Sequence, residues 1–326
     1  MTEYLEFVQG SSDNNFRQLA DRAESALGNL ADSSWQQFKS AVEAHAPNLR
    51  LADLVPFSID FSGDRRGTHE LKHVDEAANA RKVKEATQKL YGEFKDPLSA
   101  IKPDACIQPT GLGNCYFVAA LASLAKVNPE AIKDMISVNE DGKYTVKFPG
   151  ASSAVTVDPP SEADLKRVGG ATKYGDWSLV MQKAYGKYCG GGKTDLDGAD
   201  GGSLLSAGLR VLTKNGVNYE GLGQMLPLLT WNSMDEALRN AVSPANPKDA
   251  LPVTVSTLKS PLSDKTKDGF VRGHVYSVLD YKPNAQDLQQ GKVTVRNPWG
   301  GADAVREITL QEFSDNFMQL SIPCRK

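Results

Sequence analysis

Apolar and polar positions change period along the chain. From Cys115 to Lys126 (CYFVAALASLAK) nearly every residue is apolar and helix-favouring, which predicts a central helix buried on all sides. Asp176–Tyr188 instead carries Trp177, Val180, Met181, Ala184, Tyr185 and Tyr188 at i, i+3, i+4, i+7 spacing, the stripe of a core-facing helix. Two short strands, Tyr144–Phe148 and Ala154–Val157, are predicted around a Pro-Gly turn. The glycine-rich stretch from Gly190 to Gly202 then breaks regular structure, and the pattern turns to strands at Pro252–Ser256, His274–Tyr281 and Lys292–Arg296, with a last strand and helix behind them. A helical half, a break and a β-rich half make an α+β chain, and chemistry is expected at the seam.

The first 87 residues are different: polar, charged and poor in strand pattern. Helices are predicted at Asn15–Leu27, Ser34–Ala44 and Val74–Leu90, with Asp53–Asp64 an extended connector through Pro56. The expected division is an N-terminal extension (1–87), a helical subdomain (88–205) and a β-rich subdomain (206–326). Leu54, Val55, Phe57, Ile59 and Phe61 form an extended apolar stretch. It serves equally as the anchor of a pro-region cut near Gly63–Thr68 or as a strand added to the back of the core, and the extension as a whole also reads as a recruiting domain or an export signal. His69-Glu70-Leu71-Lys72-His73 matches the zinc-peptidase signature, but charged neighbours surround it and no third ligand follows, so a solvated helix face is expected and no metal. Arg65-Arg66 reads as a solvated turn rather than a processing site.

Composition narrows the function. A length of 326 residues accommodates about two domains. A formal net charge of −3 gives no footprint for nucleic acid, and the longest apolar run, Val118–Ala125 with its flanks, falls far short of the ~20 residues of a membrane span. The opening MTEYLEFVQG has no basic segment followed by an apolar one, so no secretory signal is expected. Cys106, Cys115, Cys189 and Cys324 are irregularly spaced, unlike a disulfide framework or zinc cluster. A reducing compartment follows, either the cytoplasm or a destination reached by a signal-independent route.

Three short segments carry chemistry. In Gln108-Pro109-Thr110-Gly111-Leu112-Gly113-Asn114-Cys115 a glycine-rich turn opens the buried helix, and a helix N-terminus favours the thiolate of a cysteine placed there. An upstream amide and the Cys115 N–H are natural oxyanion donors. In Gly273-His274-Val275-Tyr276-Ser277-Val278 a histidine opens a strand; the other three histidines lie within the first 73 residues, leaving His274 as the one imidazole in the body of the chain. In Val293-Thr294-Val295-Arg296-Asn297-Pro298-Trp299-Gly300, Asn297 suits a residue that fixes the imidazole tautomer, with Trp299 to keep water from that bond. Singly, each has a plainer explanation: a cysteine packed as a hydrophobe, a structural strand histidine, an Asn-Pro turn.

Together, in this order, they resemble the protease core of the calpain-like cysteine peptidases, which combine a glutamine, a GNC or GDC turn, an AALASLA-type helix, a GHAYSV-type strand and an NPWG turn. The resemblance runs from about Tyr91 to Ile322 and includes Asp176-Trp177-Ser178 and Gly201-Gly202. It implies a papain-like α+β fold and a protein or peptide substrate. It further implies that Cys115 is the nucleophile, His274 the base, Asn297 its orienter, Gln108 an oxyanion donor and Trp299 the cover of the Asn–His contact, with Gly202 and Gly273 holding the substrate backbone.

Two departures matter. Six residues separate Gln108 from Cys115 where the family has five, and the extra one must be absorbed in Pro109–Gly111. After Trp299 the chain runs Gly300-Gly301-Ala302-Asp303-Ala304-Val305 in place of an acidic calcium-binding loop. One carboxylate does not make a site of about six to eight oxygens, so no cofactor and no calcium requirement are expected. Transglutaminase-like acyl transfer uses the same Cys–His chemistry, and a catalytically silent binding module is a third reading.

Overall fold

The computed structural model describes residues 76–170, 173–190, 194–200, 206–221, 231–260 and 262–325. The helices expected at Asn15–Leu27 and Ser34–Ala44, the Asp53–Asp64 connector, the Leu54–Phe61 stretch, Arg65-Arg66 and the His69–His73 motif lie outside the described residues. So do Gly201, Gly202 and the expected subdomain boundary near 205.

The first described helix, α1 (Glu76–Tyr91), fulfils the Val74–Leu90 expectation. A short α2 (Pro97–Ala100) starts on Asp96, whose carboxylate accepts the Leu98 N–H, and a 3-10 turn (Pro103–Ala105) follows. The central helix is α3 (Cys115–Val127), and every residue from Tyr116 to Ala125 is buried. Alanines and leucines with neither glycine nor proline keep it helical. It stops at Asn128, which leaves the helical region before Pro129, the opening residue of α4 (Pro129–Met135).

A three-stranded antiparallel sheet follows: β1 (Ile136–Val138), β2 (Tyr144–Val146) and β3 (Val155–Val157), in that order. The sequence gives β2 and β3 but not β1, whose three residues are too few to show a period. Next come α5 (Glu162–Arg167), with a capping box between Ser161 and Asp164, and α6 (Trp177–Tyr188). The stripe predicted on α6 understates its burial, because Gln182 and Lys183 are buried too. Lys183 is satisfied by Asp164 at 2.9 Å. Regular structure does not vanish in the glycine-rich stretch, since Leu196–Ala199 forms a 3-10 turn.

The remaining elements are α7 (Ala207–Thr213), β4 (Val217–Gly221), α8 (Trp231–Ala241), β5 (Val253–Ser256), β6 (Val275–Lys282), β7 (Lys292–Arg296), β8 (Val305–Thr309), α9 (Leu310–Asn316) and β9 (Gln319–Pro323). Among the described residues they include a six-stranded antiparallel sheet ordered β4-β9-β5-β6-β7-β8. Its apolar face packs on Met234 and Leu238 of α8 and Phe313 and Phe317 at the end of α9. A helical half and a sheet half make the papain-like α+β arrangement expected above.

Three buried hydroxyl bonds join the halves through α3. Ser277 Oγ donates to Ala119 O at 2.8 Å, Ser123 Oγ donates to Val278 O at 3.2 Å, and Ser123 Oγ accepts the Val253 N–H at 2.7 Å. On another side α7 comes so near that a Cβ on Gly208 would lie 2.7 Å from Tyr116 O and 2.9 Å from Phe117 Cα. Only glycine permits that approach.

Candidate active site

Cys115 is the first residue of α3, so its position follows from where the helix starts. The turn before it is closed by the Leu112 N–H donating to Pro109 O, with Gly111 at φ +75°. The turn is tied down along its length. Thr110 N–H donates to Arg167 O and Thr110 O accepts from Arg167 Nε, while Arg167 pairs with Asp197 at 2.7 Å. Leu112 packs with Leu179 and Leu196, and Gly113 N–H donates to Asp200 Oδ1 at 2.7 Å. Asn114 is fully buried, and its Nδ2 donates to Gln182 Oε1 at 3.0 Å.

The Cys115 thiol lies at the start of β6. Backbone N–H groups of Val275, Tyr116 and Cys115 itself point at the sulfur. Burial pushes the thiol pKa up, and these three donors, which favour the thiolate, offset part of that rise.

His274 is 5% exposed and fixed by its backbone: its N–H donates to Thr257 Oγ1 at 3.0 Å, and its carbonyl accepts the Thr257 N–H at 3.0 Å. Its Nε2 meets Asn297 Oδ1 at 3.0 Å. That oxygen also accepts the Trp299 N–H at 3.0 Å, so it is the carbonyl end of the amide and Nε2 must be the donor. The Nε2–H tautomer leaves Nδ1 as the basic nitrogen. Burial lowers the His274 pKa below the ordinary imidazole value, and the bond to Asn297 opposes the fall. The Trp299 ring, 53% exposed, covers the imidazole at 4.9 Å between centroids, and Tyr276 meets it edge-on at 5.2 Å.

The Asn297–Gly300 turn is held by Asn297 N–H on Ala304 O and is joined to the nucleophile turn by Gln108 N–H on Pro298 O at 2.8 Å. Gly300, at φ +73°, lies where a Cβ would be 3.3 Å from Ile107. Gln108 Nε2 donates to Leu112 O within its own turn, and its Oε1 is buried without a hydrogen-bond partner. An amide nitrogen has two hydrogens, so the bond to Leu112 leaves one for another acceptor. Gly273 sits at φ +62°, its N–H on Leu258 O, and a Cβ there would lie 3.3 Å from Lys259 Cβ.

Cys115, His274, Asn297, Trp299, Gln108 and Gly273 therefore lie on two adjoining turns and one strand start. Three neighbours were not foreseen. Gln182 and Asp200 are polar residues on a helix and a loop, and only the fold brings them to the turn. Arg296, next to Asn297, is buried with Nε and Nη1 lacking partners; burial lowers its pKa, while Cys106 and Asp104 nearby oppose the fall. Cys106, fully buried, is pushed up to about 12, chiefly by burial. Among the described residues no group of three or more His, Cys, Asp or Glu is arranged to hold a metal ion.

Residues 96–316, more than half of the chain, match the family model described as calpain family cysteine protease. Human calpain-12 is 29% identical over 204 residues, covering 58% of this chain and 26% of that relative. The chain thus spans about a quarter of the length of the curated relative it matches.

Proposed function

The chain belongs to the calpain family of cysteine proteases, and from that premise we propose that it is an endopeptidase working by Cys115–His274–Asn297 nucleophilic catalysis without calcium. The observation that carries this reading is the pair of donors on Asn297 Oδ1, Trp299 N–H and His274 Nε2, which leaves His274 Nδ1 to serve a thiol next to Val275.

In this reading the Cys115 sulfur attacks the scissile carbonyl carbon while its proton passes to His274 Nδ1. Negative charge on the carbonyl oxygen is met by the Cys115 N–H and by the second Gln108 amide hydrogen. The imidazolium then gives its proton to the departing amine, leaving a thioester, and His274 activates the water that releases the acid and restores the thiol. Asn297 keeps the imidazole from turning, and Trp299 limits water around that bond. Gly273 and Gly202 present backbone to an extended substrate; at Gly273 a side chain would be strained by the positive φ. The short Gly300–Val305 connection, with Asp303 as its one carboxylate, supports calcium independence.

Hydrolysis of a denatured protein substrate is the test. Cys115→Ala and His274→Ala each abolish turnover, whereas Asn297→Ala retains a partial rate, because orienting a base contributes less than the base itself. A peptidyl thiol-alkylating inhibitor labels Cys115, read by mass spectrometry. Turnover by Cys115→Ala would refute the reading, and amine incorporation into a glutamine peptide would redirect it to acyl transfer.

A further inference from the structure

Asp200 stands 87 positions from the nucleophile turn, yet its Oδ1 accepts the Gly113 N–H at 2.7 Å. The carbonyl of the same peptide unit, Leu112 O, accepts Gln108 Nε2. A peptide group is planar and trans, so its N–H and C=O point in opposite directions and cannot be oriented independently. The carboxylate on one side therefore sets the plane of the 112–113 peptide, and that plane sets where the Gln108 amide is held. A charged acceptor on the N–H also polarises the peptide and strengthens its carbonyl as an acceptor, by roughly a tenth to a third.

The carboxylate is itself delivered on a fixed segment. Asp200 N–H donates to Asp197 O at 3.0 Å, Ala199 O accepts the Tyr116 hydroxyl at 3.3 Å, and Leu196 packs on Leu112. Asp200 is exposed, so its carboxylate keeps the hydration that a buried charge would lose.

We propose that Asp200 is a positioning residue for the oxyanion donor, acting on Gln108 through the 112–113 peptide. This rests on the reading that Gln108 supplies an oxyanion donor. In the sequence the residue immediately precedes Gly201-Gly202.

A double-mutant cycle in the full chain tests it. Asp200→Ala lowers kcat about tenfold with KM within about twofold, a fraction of the hundredfold or more that loss of an oxyanion donor costs. Asp200→Asn, which keeps a carbonyl acceptor for the Gly113 N–H, recovers most of the rate. In a Gln108→Ala background Asp200→Ala changes kcat by less than about twofold, because the residue it positions is gone. Equal losses in both backgrounds, or an asparagine variant no better than alanine, would overturn the proposal. The side-chain NH₂ resonance of Gln108, identified by its absence in Gln108→Ala, shifts in Asp200→Ala and returns towards its place in Asp200→Asn. An unmoved resonance overturns the proposal whatever the activity. A wild-type chain without hydrolysis overturns the peptidase reading instead, and the resonance still decides the role of Asp200.

Discussion

His274 is buried, and one of the rings that pack on its imidazole, the Trp299 indole, is itself half exposed. Burial disfavours the imidazolium, which is why the His274 pKa lies below its usual value. Trp299→Ala admits water, hydrates the cation and moves that pKa upward. Where His274 must be neutral to accept the thiol proton, the acid limb of the kcat/KM profile reports this titration, as a property of the Cys–His pair. The limb therefore shifts to higher pH in Trp299→Ala, and activity at mildly acidic pH falls more than at alkaline pH. A pH–rate profile of the two proteins checks it; an unmoved limb means that Trp299 does not control the hydration of His274. Cys115, His274 and Asn297 could be proposed from the sequence because their three segments occur together in one order, whereas singly each is only a helix start, a strand start or an Asn-Pro turn. The choice of ring nitrogen could not. It depends on the Trp299 N–H reaching Asn297 Oδ1, a contact local to the turn but fixed only by its conformation.

Helix α3 and helix α7 meet at Gly208 with no room for a methyl group. Gly208→Ala pushes a Cβ into Tyr116 O and the Phe117 backbone, and overpacking of this kind costs about 1–3 kcal/mol. The melting temperature is expected to fall by roughly 2–4 °C per kcal/mol, with a loss of turnover beyond the loss of folded protein, because Tyr116 follows Cys115 directly. Calorimetry with a steady-state assay on the same sample separates the two effects. Periodicity read α3 correctly as buried all round and placed β5, β6 and β7 within one or two residues. It failed on α6, where Gln182 and Lys183 are buried against the stripe. Lys183 is tolerable there only because Asp164 answers it, 19 positions earlier in the sequence. Asp164, although burial alone would raise it, is held below the usual carboxylate range by Lys183 and by Ser161. Strand β1 and the 3-10 turn at Leu196–Ala199 were illegible for want of length.

For the molecule as a whole, backbone hydrogen bonds join the two turns that carry candidate residues. Gln108 N–H on Pro298 O ties the nucleophile turn to the Asn297–Gly300 turn, and the latter closes through Asn297 N–H on Ala304 O. Because the Gly300–Val305 connection offers Asp303 as its one carboxylate, hydrolysis is expected to continue in excess chelator, measured before and after adding calcium or magnesium back; loss in chelator reversed by calcium alone would contradict it. The hydroxyl of Ser277 has a consequence of a different kind. From Cys115 to Ala119 is one helical turn, a rise of about 6 Å. From His274 to Ser277 is about 10 Å of strand. The Ser277–Ala119 bond joins the far ends of these two spans and closes them into a small ring. The gap between sulfur and imidazole is thus gauged by two short, stiff arms and one pin. Breathing elsewhere in either half is therefore expected to disturb the spacing of Cys115 and His274 less than it disturbs parts outside the ring, as the jaws of a caliper hold when only its handle is warmed.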